Sequence, residues 1–196
     1  MVNPYDSVWT NNDDAVGWDR TDEDGYYSIT VPPGTYDILV EGRWEETNDW
    51  NQYYPPYARY RVNEDLNIQS NLTHDIHLPI VYLSGIITND DGIPASGVKV
   101  GHNYTYIYGQ RDGRSVLNGY TSISYVTSGL DGRYSLPLLS ATYDIIVTPP
   151  SDSEYVKQFI EGLDISANTT RNIVLACGYV VSGRVLDRSN NCIKNL

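Results

Sequence analysis

Asp24-Gly25-Tyr26-Tyr27-Ser28-Ile29-Thr30-Val31, followed by Pro32-Pro33-Gly34-Thr35-Tyr36-Asp37-Ile38-Leu39-Val40, decides the reading of this chain, because it occurs twice. About 107 residues on, Asp131-Gly132-Arg133-Tyr134-Ser135-Leu136-Pro137-Leu138 is followed by Leu139-Ser140-Ala141-Thr142-Tyr143-Asp144-Ile145-Ile146-Val147 without a gap. Apolar residues alternate with polar ones through Tyr27, Ile29 and Val31, through Tyr36, Ile38 and Val40, and through Tyr143, Ile145 and Val147. A period of two places each set on one face of a strand. Asp24-Gly25 and Asp131-Gly132 are turn dipeptides, and Pro33-Gly34 closes the other end of the first hairpin.

The repeat extends beyond the hairpin. Ile68, Asn71, Thr73, Ile76 and Leu78 match Ile165, Asn168, Thr170, Ile173 and Leu175, and Leu83-Ser84-Gly85-Ile86 matches Val181-Ser182-Gly183-Arg184. The offset falls to about 97 here, because the loop after Val40 is longer than the loop after Val147. No stretch combines a 3.6-residue period with helix caps. Many short strands separated by turn signals imply an all-β chain of two tandem Ig-like β-sandwich modules.

The run Asp-Gly-x-Tyr-Ser-Leu/Ile, a short link, then Gly/Ala-Thr-Tyr-Asp-Ile resembles the carboxypeptidase regulatory-like family, whose fold is a prealbumin-like (transthyretin-like) β-sandwich. The family's opening element is matched by Leu83-Ser84-Gly85-Ile86-Ile87, Asp91-Gly92-Ile93-Pro94 and Gly97-Val98-Lys99-Val100. The resemblance covers nearly all of the chain. It implies the fold and a place in secreted or surface proteins, but no particular activity. Related surface domains carry a Lys–Asn crosslink; Lys99 reads instead as a solvated lysine.

The modules are out of phase with the chain. Residues 1–80 form a module without its opening strand, 81–177 a complete module, and 178–196 an opening strand with no body after it. Leu83, Ile87, Val98, Leu136, Tyr143, Ile145, Val147, Ile165, Ile173 and Leu175 are the expected core of the complete module. A sandwich without its opening strand leaves backbone unpaired and an apolar groove open. A lone strand cannot bury its own apolar face. Donation of the tail to the first module of another copy answers both, with Val181, Gly183 and Val185 facing inward. Such a contact is head-to-tail and propagates into a fibre unless it closes as a ring. Two other readings stay open: a window from a longer covalent array, and boundaries that cut the modules arbitrarily.

Composition narrows the function. The chain of 196 residues has 40 % apolar residues, 18 Tyr but one Phe and one Met, and a net charge of −12 with only 13 Lys and Arg. Tyrosine suits strands with thin cores and wet edges. The negative charge opposes nucleic acid and anionic lipid, and no apolar run reaches the ~20 residues that span a bilayer. The opening MVNPYDSVWTNN lacks the features of a signal peptide. No His-Glu-x-x-His, Cys-x-x-Cys or Gly-x-Ser-x-Gly element occurs, so no enzyme and no cofactor are expected.

Several residues remain as candidates. Asp19, Asp22 and Asp24 could hold Ca²⁺ or form a hairpin turn. Cys177 and Cys192 could form a disulfide or stand as free thiols. Asn71, Asn103 and Asn168 head glycosylation sequons, and Asn71 and Asn168 occupy equivalent repeat positions. The loop of residues 43–61 carries Trp44, Trp50, Tyr53, Tyr54, Tyr57 and Tyr60, suited to packing against a neighbour or stacking on sugar. The leading expectation is a structural subunit of an extracellular or cell-surface filament, its partners other copies of itself. The alternative is an accessory module that binds carbohydrate or a surface through the aromatic loop.

Overall fold

The computed structural model describes residues 4–9, 15–42, 58–111, 114–121, 123–179, 181–189 and 191–193. Among these the chain is all β, with fourteen strands and no helix. The first part contributes β1 (Pro4–Trp9), β2 (Ala15–Arg20), β3 (Gly34–Gly42) and β4 (Ala58–Ile68). The second contributes β5 (Ile80–Thr88), β6 (Lys99–His102), β7 (Thr105–Arg111), β8 (Arg114–Thr121) and β9 (Ser124–Thr127). It continues with β10 (Arg133–Leu139), β11 (Ala141–Thr148), β12 (Gln158–Ile165), β13 (Thr169–Thr170) and β14 (Ile173–Val174).

The second part is a two-layer sandwich. One layer has the order β10-β5-β13, with β14 also on β5; the other has the order β12-β11-β6-β9. Both layers contribute to one core: Leu83 and Ile87 from β5, Leu136 and Leu138 from β10, Val100 from β6, Tyr143, Ile145 and Val147 from β11, and Ile165 from β12. The alternation of Tyr143, Ile145 and Val147 with exposed or half-buried neighbours is the period-two pattern made physical. All ten residues expected in this core are buried. β5 is the central strand of its layer. It runs antiparallel to β10 and parallel to both β13 and β14.

The first part repeats one of these layers. Its order β2-β1-β3-β4, all antiparallel, corresponds strand for strand to β9-β6-β11-β12. The irregularity between Tyr36 and Ile38 falls where the second part has one between Tyr143 and Ile145. The other layer differs. Residues 26–31, expected as a strand, and residues 71–79 are not assigned to any strand of the sheets found among the described residues. Their counterparts are β10 and β13–β14, whose ladders both run to β5. Period-two side chains give a strand preference, but a sheet also needs a neighbouring strand to share backbone hydrogen bonds.

One feature crosses from one part to the other. β7 and β8 form a hairpin between β6 and β9, and β8 pairs with β4 through Ala58↔Thr121, Arg59↔Tyr120 and Tyr60↔Gly119. The first layer thus becomes a six-stranded sheet, β2-β1-β3-β4-β8-β7. Ala58, Ile107 and Leu139 form a small second core at this seam, with Leu78 and Ile80 packed against it.

Candidate assembly site

The complete module shows what its central strand requires. Leu83 and Ile87 point into the core and are fully buried. Gly85 lies where the backbone of Arg171 and Asn172 passes, and a Cβ there would come within 2.0 Å of the Arg171 carbonyl oxygen. Side chains extend this edge of β5, Asn168 just before β13 and Asn172 in the gap between β13 and β14. The Tyr82 N–H donates to Asn168 Oδ1 (2.9 Å) and the Ile86 N–H to Asn172 Oδ1 (3.1 Å). On the other edge the Ile87 N–H donates to the Gly132 carbonyl (2.9 Å). Gly132, at φ 73°, sits so close that a Cβ would lie 2.4 Å from the Ile87 carbonyl oxygen.

In the first module both flanks of that position are built, and the same contacts hold them. The Tyr27 hydroxyl donates to the His74 carbonyl as Tyr134 does to that of Arg171. Tyr36 donates to the Pro32 carbonyl (2.6 Å) as Tyr143 does to that of Leu139 (2.7 Å). Asp37 accepts the Asp65 N–H as Asp144 accepts that of Gly162, and Asp65 and Gly162 share a left-handed backbone, φ 54° and 61°. Among the described residues no strand lies between the flanks. Ile29, Val31, Ile68 and Ile76 are half-buried, whereas Leu136, Leu138, Ile165 and Ile173 are buried. Gly25, at φ 86°, faces open space where Gly132 abuts the central strand.

The tail is the converse: its turn is formed, and among the described residues the segment leading into that turn pairs with no sheet. The Asp187 N–H donates to the Asn191 carbonyl and the Ile193 N–H to that of Val185. These reproduce the bonds from Asn89 to Ile93 and from Ala95 to Ile87. Leu186 and Cys192 bridge as Thr88 and Pro94 do. Hydrogen bonds from the Asn191 side chain and backbone hold the Asp187 carboxyl below the usual carboxylate range. The segment before this turn is bare: Tyr179 is 99 % exposed, Val181 97 % and Val185 55 %. Gly183, at the place of Gly85, has nothing within 4 Å.

The other candidate residues are distributed as follows. Asp22 Oδ1 accepts the N–H groups of Asp24 and Tyr26, and Asp19 Oδ2 that of Ser28, so these carboxylates form the turn. Among the described residues no group of three or more His, Cys, Asp or Glu is arranged for a metal. Cys177 and Cys192 are free, exposed thiols, each in its own backbone bridge, with Tyr155 and Leu186. Asn71, Asn103 and Asn168 are exposed. Lys99 is exposed, with its ammonium 4.4 Å from the Tyr125 ring centre. Trp44, Trp50, Tyr53, Tyr54 and Tyr57 lie outside the described residues, and Tyr60, on β4, is half-buried. No helix is long and apolar enough to cross a membrane among the described residues.

Sequence reasoning passed over His102. It is 2 % exposed, its Nε2 2.8 Å from Ser124 Oγ, its Nδ1 against the Asn103 carbonyl, and its ring edge-on to Tyr143. Burial pulls its pKa down to about 4, against a smaller upward effect of the Asn103 carbonyl. A lone histidine in a strand gives no signal that separates a core position from a surface one.

No protein-family model matches the chain, and no curated protein sequence matches it. Among solved structures, the shaft pilin SpaA of Lactobacillus rhamnosus GG aligns at 10 % identity with a TM-score of 0.39, covering 92 % of this chain and 89 % of that one. The Bacillus anthracis TIE protein aligns at 14 % identity with a TM-score of 0.32, covering 90 % of this chain and 30 % of that one. At these scores the likeness carries no argument about assembly or activity.

Proposed function

We propose that this chain is a structural subunit of an extracellular filament or stalk, assembled head to tail by strand donation. Residues 179–186 of one copy enter the first module of the next, antiparallel to residues 26–31 and parallel to residues 73–78. One observation carries the reading. Gly25 and Gly183 both face open space, while their equivalents Gly132 and Gly85 are in tight contact across the central strand of the second module. The acidic surface and the resemblance to carboxypeptidase regulatory-like modules are consistent with an extracellular setting.

The donated strand places Val181 and Val185 where the second module has Leu83 and Ile87. Burying two valines contributes about 3–6 kcal/mol before entropy. Backbone bonds to Gly25 and to the 73–78 segment add register. A covalent array of the same modules would make the same joint within one longer chain, and the mass of the dissociated subunit separates the two cases.

The test is assembly of the purified chain, followed by electron microscopy and sedimentation. Val181→Asp with Val185→Asp places charge in an apolar groove. Filaments are expected to fall into single subunits while the second module stays folded. Gly183→Ala is a milder version, since its methyl would meet the His74 carbonyl. Normal assembly of the double variant would sink strand donation.

A further inference from the structure

The complete module and the open one offer a central strand different surroundings at one position. In the second module Ile86 lies opposite Arg133 in the antiparallel ladder, and its N–H donates to Asn172 Oδ1. Residue 171, beside Asn172, is also an arginine. The repeat places Arg184 of the tail where Ile86 stands. In the first module it places Tyr26, His74 and Asp75 where Arg133, Arg171 and Asn172 stand. The exchange is reciprocal: the cation moves from the flank to the strand, and the flank gains a carboxylate and an aromatic ring. Tyr26 and Asp75 are exposed on the flanks of the open position, and Arg184 is exposed on the tail.

We propose that Arg184 selects the acceptor. This rests on strand donation and names what directs it. In the first module of a second copy, Asp75 accepts the Arg184 N–H as Asn172 accepts that of Ile86, and its negative charge also attracts the guanidinium. Across the strand the planar guanidinium lies over the Tyr26 ring. In a second module the same residue would face Arg133, already paired with Asp131 (3.3 Å), with Arg171 close by, so a third cation would share one carboxylate, an arrangement that opposes pairing. The tail is therefore admitted to first modules and turned away from second ones, its own included. A strand that could displace β5 would produce swapped, branched or dead-ended species; the charge pattern acts against them.

The experiment uses the full-length chain and measures the critical concentration for assembly. Arg184→Glu is expected to raise it roughly tenfold, and Asp75→Arg in the same chain is expected to restore it to within about threefold of the parent. Arg184→Lys is expected to fall between, keeping the charge and losing the planar stack. Residue 184 is exposed in the free chain, so thermal unfolding of dilute monomer should be unchanged in every Arg184 variant. If Arg184→Glu assembles normally while the Val181/Val185 double variant does not, acceptor selection is wrong and donation stands. If neither variant affects assembly, both proposals fail. If Arg184→Glu blocks assembly but Asp75→Arg does not rescue it, Arg184 does not act through Asp75 and the proposal is overturned.

Discussion

The two modules repeat the same sequence pattern and reach different degrees of completion. In the second, β5 sits between β10 and β13–β14, and Leu136, Leu138, Ile165 and Ile173 are buried around it. In the first, the matching flanks are held by matching hydrogen bonds, yet Ile29, Val31, Ile68 and Ile76 are only half-buried. Among the described residues the difference is one strand. A four-stranded layer with its flanking segments keeps the shape of a sandwich through side-chain hydroxyls and Asx bonds, but closing the core requires the central strand.

The largest expected break in this comparison comes from truncating equivalent side chains. Leu83→Ala should destabilise the dilute monomer by about 2–5 kcal/mol, since it empties a fully buried site. Val181→Ala, at the same repeat position, should change it by less than about 0.5 kcal/mol. Denaturant unfolding of both variants checks this. Equal effects would mean that the tail is already buried in the monomer.

Next is acidification. His102 is neutral in the folded chain, with its pKa lowered from 6.5 to about 4. Between these values the unfolded chain binds the proton and the folded chain does not. Stability of the second module should therefore be level above pH 6.5, fall as the pH drops towards about 4, and level off below that as far as this residue is concerned. The full loss is roughly 3 kcal/mol. The position matching His102 in the first module, opposite Ile38 in the ladder, is Val8. His102→Leu should remove this component of the pH dependence, as followed by unfolding at several pH values.

The smallest effect concerns the side-chain bridges. Asn168→Ala removes the acceptor for the Tyr82 N–H and should cost about 1 kcal/mol in the monomer. Asn71→Ala should leave the monomer unchanged and show its cost only in assembled material. Comparing melting of monomer and filament for the two variants separates them.

Much of the second module was legible beforehand. Alternation through Tyr143, Ile145 and Val147 and the Asp131-Gly132 turn are local signals, and the burial of those three side chains follows the alternation. Residues 26–31 carry the same alternation, but periodicity gives a preference for one face and not the presence of a neighbour to pair with. The alliance of β8 with β4 was illegible for a related reason. Tyr104, Tyr106 and Tyr108 alternate and Asp112-Gly113 can turn a hairpin, yet nothing local says which sheet that hairpin joins. Asp65 in a left-handed backbone was also hidden, because its counterpart Gly162 accepts that conformation at no steric cost whereas Asp tolerates it less readily.

The parallel pairing of β5 with β13 and β14 has a mechanical consequence. The first and last strands of the second module lie side by side and point the same way, so its entry and exit are at opposite ends of the pair. Tension along the chain would pull these strands past each other in shear. The bonds from Arg171 to Ser84 and from Leu175 to Thr88, and the Asn168 and Asn172 bridges, would then share the load together instead of opening one after another. Forced opening depends on the barrier to unfolding, and a module loaded in this way resists extension more than its equilibrium stability alone would indicate.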